Sequence, residues 1–235
     1  MDTSNFQIVV LTPPLESLEK KEARYYFSNM CQMKLQGYQA VHGKKSLPLD
    51  HYDYLASHLL ICLKGKEPTI VSGFRSLSYN NCLSHDIEFD LLLEFKKFGN
   101  KQSLEELQNL LAQCNKNNTD IFHNSRWTTL PEYKKGRKFQ LDCLALTYAI
   151  MYYHHHHAIE KQEWLCSGIN SLKTEKMLYR AGGIPFGSYP SYEREWCFSK
   201  NEKLTFVHGH KNRDESRIKK YVDKHKKTWD ERIII

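Results

Sequence analysis

The sequence predicts an α+β fold, an α/β sandwich built on a twisted and mostly antiparallel sheet with helices on both faces. Three observations lead there. Short β-branched or apolar runs of strand length recur along the chain, longer stretches with helical spacing interrupt them, and two of the short runs are close enough to pair as a hairpin. The chain has 235 residues, with 40% apolar, 26% charged and 12% aromatic residues, which is globular composition and excludes collagen, coiled coil and wholesale disorder.

The elements follow in order. Phe6–Thr12 (FQIVVLT) reads as a strand stopped by Pro13-Pro14. Leu15–Leu35 carries Leu15, Leu18, Ala23, Tyr26, Phe27, Met30 and Met33 on a broad helical face, and Gly37 is expected to close that helix. Residues 38–57 read as irregular. Leu59–Leu63 and Thr69–Leu77 flank the turn-like KGKEP and read as an antiparallel hairpin. Phe89–Phe98 and Leu104–Cys114 have helical spacing, the second with Ser103 and Glu106 placed as a capping box. Asp120–Leu130 is a strand ended by Pro131. Phe139–His157, rich in Ala and Leu, reads as a buried helix. Glu163–Ile169 is a strand, Leu172–Arg180 a short helix closed by Gly182-Gly183, and Trp196–Phe198 with Leu204–Val207 the last two strands. Residues 1–210 are read as one domain and 211–235 as a basic, helical extension.

Composition also bounds function. No apolar run approaches the roughly 18–20 residues of a membrane span. MDTSNFQIVVLTPP has no basic n-region or A-x-A-like site, so no secretory signal is read. Seven cysteines, odd in number and without CxxC pairs, favour reduced thiols and a cytoplasmic location. The net charge of +7 is concentrated at Lys134–Lys138 and between Lys211 and Lys227. It favours anionic partners: phosphate-bearing cofactors, an acidic carrier protein or nucleic acid. The sequence shows no zinc-finger spacing, basic zipper or RNA-binding aromatic signature, so nucleic acid is the least favoured of the three.

Lys134, Lys135, Gly136, Arg137 and Lys138 stand between a strand and a long helix. Glycine permits close backbone approach, and a helix start offers unpaired N–H groups and partial positive charge, so the segment has the makings of a phosphate cradle. An exposed basic loop is the plain alternative. His154–His157 is a weak metal candidate, because consecutive helical residues spread around the helix and only His154 and His157 share a side; no metal is expected. Cys143 and Cys166 fall in apolar segments, where a small buried hydrophobe is the usual role.

The strand, basic loop and helix resemble the GNAT acyltransferase superfamily, in which such a loop grips a pantetheine-linked donor. Further motifs narrow the resemblance. Leu49-Asp50-His51-Tyr52-Asp53 is similar to the acidic E-x-D-x-x-D motif of acyl-homoserine-lactone synthases, and Val71–Leu77 to their hairpin strand with its arginine, here Arg75. Asn124-Ser125-Arg126-Trp127 resembles their E-x-S-R-F strand, and Tyr192–Trp196 a late Glu-Arg segment. The motifs run in order from about Arg24 to Phe198. N-acyl amino acid synthases share the pattern.

The resemblance implies an N-acyltransferase of autoinducer-synthase type, the enzymes of quorum sensing. An amine of S-adenosylmethionine or an amino acid attacks the thioester of an acyl carrier protein or acyl-CoA, with no resident cofactor. It implies Arg24, Tyr38, Asp50, Asp53, Arg75 and Trp127 on the acceptor side, His123, Ser125 and Arg126 in the catalytic set, and Lys134–Lys138 on the donor. Arg24 fits an N-terminal family arginine, with Phe27 one residue closer than the family's aromatic. Tyr38 follows Gly37 where the family often has Gly-Trp. The main departure is His123, where those synthases carry glutamate; imidazole titrates near neutrality and can serve as the base, while a structural strand histidine is the plain alternative.

The chemistry explains the residue types. The acceptor ammonium must lose a proton, the oxyanion needs donors, and an amino acid needs a cation and a carboxylate for its two ends. Arg75 and Arg126 stand mid-strand between apolar neighbours, where an unpartnered guanidinium is costly, so pairing with Asp50 or Asp53 is predicted. The rivals are an N-acyl amino acid synthase without lactone formation and a non-catalytic GNAT-like protein binding through its basic tail.

Overall fold

The computed structural model describes residues 5–43, 48–157, 160–196 and 200–235. β1 (Phe6–Leu11) is followed by a short α1 (Pro14–Ser17), with Pro14 in the first turn where its missing N–H costs nothing. α2 (Lys21–His42) runs past the expected stop at Gly37. A Cβ at Gly37 would collide with the Thr128 side chain, so this glycine serves close packing and the helix continues to Gly43, whose φ of 89° ends it. One turn, α3 (Tyr52–Leu55), lies in the stretch read as irregular. β2 (Ser57–Leu63) and β3 (Thr69–Ser78) are the expected hairpin.

α4 (Tyr79–Ser84), which the spacing did not reveal, is capped by Ser78, whose hydroxyl accepts from the Asn81 N–H. α5 (Asp90–Phe98) and α6 (Lys101–Lys116) follow. The cap of α6 is Asn100, accepting from the Ser103 N–H, and not Ser103; Glu106 turns instead to Ser188. β4 (Ile121–Thr129) leads through a 3₁₀ turn, Pro131–Lys135, into α7 (Arg137–His154). The histidine run therefore leaves the helix: β5 (His156–His157) pairs with β6 (Glu160–Lys161). β7 (Glu163–Ile169) matches its expected bounds, and α8 (Thr174–Arg180) starts after a 3₁₀ turn. β8 (Ile184–Pro185), β9 (Ser191–Trp196) and β10 (Lys200–Gly209) complete this part; residues 197–199, between the last two strands, lie outside the described residues. α9 (Lys219–Lys224), α10 (Lys226–Asp230) and β11 (Ile233–Ile234) end the chain.

Strand pairing is mixed and mostly antiparallel, as expected, and the chain divides into two compact units. The first holds Met1–Ser76, Arg126–His154 and Ile218–Ile235. In it β1 pairs antiparallel with β2, β2 antiparallel with β3, and β11 parallel with β1. Its core packs Val9, Leu11, Leu60, Cys62 and Ile70 of the strands against Ala23, Tyr26, Met30 and Met33 of α2, with Ile235 at the edge. The stretch read as an extension supplies β11 and Ile235 to this core. The second unit holds Leu77–Ser125 and His155–Arg217. There β4 runs parallel to β7 from Ile121↔Glu163 to Asn124↔Cys166, and β10 pairs antiparallel with β7, β8 and β9. Phe95, Phe186, Tyr192 and Phe206 form its aromatic core, with Phe95 and Phe206 centroids 4.7 Å apart.

β4 belongs to both units. Its buried side chains are Ile121, His123, Asn124 and Thr128, with Leu130 just after it. A φ of 60° at Arg126 places a non-glycine residue in left-handed backbone within the strand. Such a conformation costs about 1–3 kcal/mol that the surroundings must offset.

Candidate functional site

In the first unit, α2, the Asp50–Leu55 segment, β2, β3 and the second half of β4 bring five charged side chains together. Lys34 comes from the apolar stripe of α2 and is buried, 1% exposed. Its ammonium donates to Asp53 Oδ1 at 2.6 Å and lies 3.5 Å from His58 Nδ1. His58, wholly buried, donates from Nε2 to the Asp53 carbonyl at 2.7 Å, which leaves the Nδ1 lone pair toward Lys34. Asp53 also accepts from the Asp50 N–H at 2.9 Å and sits 3.8 Å from the Arg75 guanidinium. Arg75, 2% exposed, donates to Asp50 Oδ1 at 2.5 Å, and Arg126 donates to Asp50 Oδ2 at 3.0 Å. One carboxylate thus bridges two arginines. The predicted pairing of Arg75 and Arg126 with Asp50 is present, and Asp53 is the deeper partner.

Electrostatics separates the inner from the outer part. Burial pushes the Lys34 ammonium down to about 8, against the pull of Asp53. Burial alone would raise the Asp53 carboxyl, but Lys34 and Arg75 outweigh it and hold that group well below the ordinary carboxylate range. Burial, then Lys34, lowers His58 to about 3, so its ring is neutral. Burial also works against the Arg126 charge, and Tyr38, Asp50 and Asp53 outweigh it. At the outer end Asp50 is 28% and Arg126 23% exposed, while Lys34, Asp53 and Arg75 are at most 2% exposed. A sealed base therefore carries a half-open carboxylate–guanidinium pair, the complement of a small zwitterion's two ends.

The other predicted residues distribute as follows. Tyr38 is buried on α2, near Arg126. Trp127 is half-buried and donates from Nε1 to the Ser72 hydroxyl at 3.2 Å, which in turn donates to the Thr128 carbonyl at 2.8 Å, tying β3 to β4. Arg24 is apart from the cluster: it is exposed and donates to the Leu18 and Glu19 carbonyls, closing the turn before α2. Lys134 lies in the 3₁₀ turn, half-buried, its ammonium lowered by burial and its carbonyl accepting from the Gln140 amide. Gly136 joins that turn to α7, and exposed Arg137 and Lys138 occupy the first helical turn, which carries no acidic residue. The Lys135 side chain and those of Arg194–Trp196 lie outside the described residues.

His123 and Ser125 belong to the second unit. His123 is nearly buried, with Nδ1 2.8 Å from Asp90 Oδ1. Ser125 is half-buried. In the same unit His155 Nε2 lies 2.8 Å from the Asn124 amide nitrogen, and His156 Nε2 lies 3.2 Å from Glu215. Burial raises the Cys62, Cys143 and Cys166 thiols to about 12, which removes them as nucleophiles at neutral pH.

Sequence reasoning missed Lys34, His58 and Asp90. A signal for Lys34 was available: it lies four residues after Met30 and four before Tyr38, inside the stripe that α2 buries. His58 is the second residue of an apolar strand and carries no such mark.

No family model matches the sequence, and no curated protein matches it. Among solved structures the chain is similar to an AHL synthase and an N-acyl amino acid synthase. The first is the AHL synthase LasI, at 18% identity over 88% of this chain and 90% of that chain, with a TM-score of 0.49. The second is FeeM, from uncultured soil microbes, at 7% identity over 86% and 90%, also with a TM-score of 0.49. The chain is similar as well to a polyamine N-acetyltransferase of Drosophila melanogaster, at 12% identity over 87% and 100%, with a TM-score of 0.44. These are likenesses of fold, and the functional reading stands on the residues.

Proposed function

We propose that this chain is an N-acyltransferase that moves an acyl chain from a phosphopantetheine thioester to the amine of S-adenosylmethionine or an amino acid. The observation that carries the reading is the half-open Asp50–Arg126 pair on its buried base of Arg75, Asp53 and Lys34. Arg126 binds the acceptor's carboxylate, and Asp50 its ammonium or sulfonium end. Tyr38 and Trp127 border the acceptor. The inner ions hold the outer pair in place, so little reorganisation accompanies binding. The donor's phosphates meet Lys134–Lys138 and the first N–H groups of α7, an 18-residue helix with two cations in its opening turn. Acyl-CoA and acyl carrier protein both present that phosphate chemistry, and the positive charge of the chain suits an acidic carrier. His123, as the base, and Ser125 are the remaining proposed catalytic residues, and both lie in the second unit.

S-Adenosylmethionine followed by lactone formation and simple N-acylation of an amino acid use the same pair. Expression in a bacterium followed by mass spectrometry of extracted acylated amines tests the reading and separates the two products. Absence of any acylated amine, with purified protein also inactive on acyl-CoA and acyl carrier protein donors, would refute it. The rival reading, nucleic-acid binding through the tail, has less support. Lys219, Lys226 and Lys227 pair with Asp223, Asp230 and Glu231 one turn on, and Lys224 lies 3.9 Å from Asp142. Among the described residues no helix is long and apolar enough to cross a membrane.

A further inference from the structure

We infer that His58 is a positioning residue for the acceptor: it pins the Asp50–Asp53 turn to the sheet and so sets where the Asp50 carboxylate stands against Arg126. The inference rests on the acyl-transfer reading above and names a residue that reading did not contain. Every group in it belongs to the first unit. His58 is wholly buried, and its Nε2 lies 2.7 Å from the Asp53 carbonyl oxygen. A carbonyl only accepts hydrogen bonds, so Nε2 bears the hydrogen and Nδ1 the lone pair. Nδ1 in turn lies 3.5 Å from the Lys34 ammonium, which donates to Asp53 Oδ1 at 2.6 Å. Imidazole and ammonium therefore hold one residue, Asp53, by its main chain and by its side chain.

Where Asp53 goes, Asp50 follows. The Asp50 N–H donates to Asp53 Oδ2 at 2.9 Å, and the Asp53 N–H donates to the Asp50 carbonyl at 3.0 Å. The Tyr52 N–H donates to Asp50 Oδ1 at 3.0 Å, which fixes the rotation of the carboxylate itself. His58 ties this turn to the sheet. It stands on β2 opposite Leu11 of β1 and Arg75 of β3, so strand pairing on both sides holds its place, and the Phe27 ring of α2 packs against the imidazole at 6.1 Å. Arg75, its cross-strand neighbour, bonds the same Asp50 carboxylate. The sheet thus reaches Asp50 twice, once through a guanidinium and once through the turn that His58 grips.

A leucine would fill this volume and suit the apolar strand without burying polar atoms. What the imidazole adds is the donor turned to Asp53 and the acceptor turned to Lys34. Burial keeps the ring neutral, lowered to about 3, so Nδ1 retains its lone pair and does not repel the ammonium beside it.

The test joins a spectroscopic and a binding measurement on the full chain. With ¹⁵N-labelled histidine, the wild-type His58 ring should carry its hydrogen on Nε2 at neutral pH. An Nδ1–H tautomer would overturn the inference whatever the activity, and this measurement stands even where a variant does not fold. Calorimetric titration with S-adenosylmethionine and with amino acids then reads the acceptor site in the absence of donor. His58→Leu should weaken acceptor binding and raise acceptor KM about 10- to 100-fold, with donor KM and kcat at saturating acceptor within about twofold of wild type. His58→Gln, which keeps an N–H for the Asp53 carbonyl, should recover most of that loss. A lowered urea midpoint in His58→Leu with acceptor affinity unchanged would make the histidine structural only; it would overturn the positioning role and leave the acyl-transfer reading standing. Acceptor binding weakened as much by glutamine as by leucine would also overturn the role. A wild type that binds neither kind of acceptor and transfers no acyl group would overturn that reading and the role with it.

Discussion

Two buried carboxylates head two ion networks, one in each unit, and they end differently. Glu215 in the second unit meets Arg213 at 2.8 Å, Lys161 at 3.0 Å and His156 at 3.2 Å. Its cations then donate to main chain: Arg213 to the Gln162 and His210 carbonyls, and Lys161 to the Arg213 carbonyl. Asp53 in the first unit meets Lys34 and Arg75, and the chain of charges continues outward to Asp50 and Arg126, both about a quarter exposed. Lys161 and His156 of the second network are 33% and 23% exposed, as open as Asp50 and Arg126, so exposure does not separate the two. What separates them is what the outer groups bond: main-chain carbonyls in the second unit, and a carboxylate–guanidinium side-chain pair in the first.

The largest effect that can break this contrast is the loss of either buried carboxylate. Asp53→Ala leaves Lys34 and Arg75 without their inner partner and should cost about 3–5 kcal/mol in urea unfolding, as should Glu215→Ala. Equal stability in either variant would mean that the network contributes nothing to its unit. Next comes the outer end. Arg126→Ala should raise acceptor KM by about 10- to 150-fold, the about 1.5–3 kcal/mol of a hydrogen bond to a charged group, while its unfolding midpoint moves little. A midpoint loss as large as that of Asp53→Ala would place Arg126 in the sealed base and remove the contrast.

The pH dependence sharpens the same division. His58 is lowered in the folded chain to about 3, so between its ordinary value near 6.5 and 3 the unfolded state binds the extra proton. The His58 contribution is therefore complete above about pH 6.5 and is lost as pH falls toward 3. Asp53, also lowered, adds to the loss below the ordinary carboxylate value near 4. Urea midpoints measured from pH 7 to pH 4 should decline in the wild type and decline less in His58→Gln; parallel curves would show that the His58 ring is not the source. The smallest effect lies on the surface. Lys226→Ala breaks an exposed one-turn pair with Asp230 and should change stability by no more than about 0.5 kcal/mol.

Much of this is legible in the sequence. β1, the β2–β3 hairpin and β7 announce themselves by β-branched residues bounded by Pro, Gly or charged turns. A pairing of Arg75 and Arg126 with Asp50 or Asp53 follows from the cost of a lone guanidinium inside a sheet, and the choice of Asp50 by both does not. The reading failed where one residue type has two uses. Gly37 was taken as a stop because glycine commonly ends helices, yet here it lets Thr128 pack against α2. Ser103 was taken as a cap because the box pattern fits, yet Asn100 lies one turn earlier and does the work. Lys34 goes unmarked because lysine usually faces solvent, though its spacing places it among buried residues. Asp90 carries no mark in the sequence, and only the fold shows that it meets His123, 33 positions away.

The left-handed backbone at Arg126 sets two selective pressures against each other. Glycine would adopt a φ of 60° without the roughly 1–2 kcal/mol that a side chain adds there. An Arg126→Gly chain would accordingly hold this backbone more comfortably than the native residue does, yet offer no guanidinium to a carboxylate. On the proposed function, relatives without acyl transfer are expected to carry glycine at this position, and those with it to keep an arginine in a conformation arginine rarely adopts.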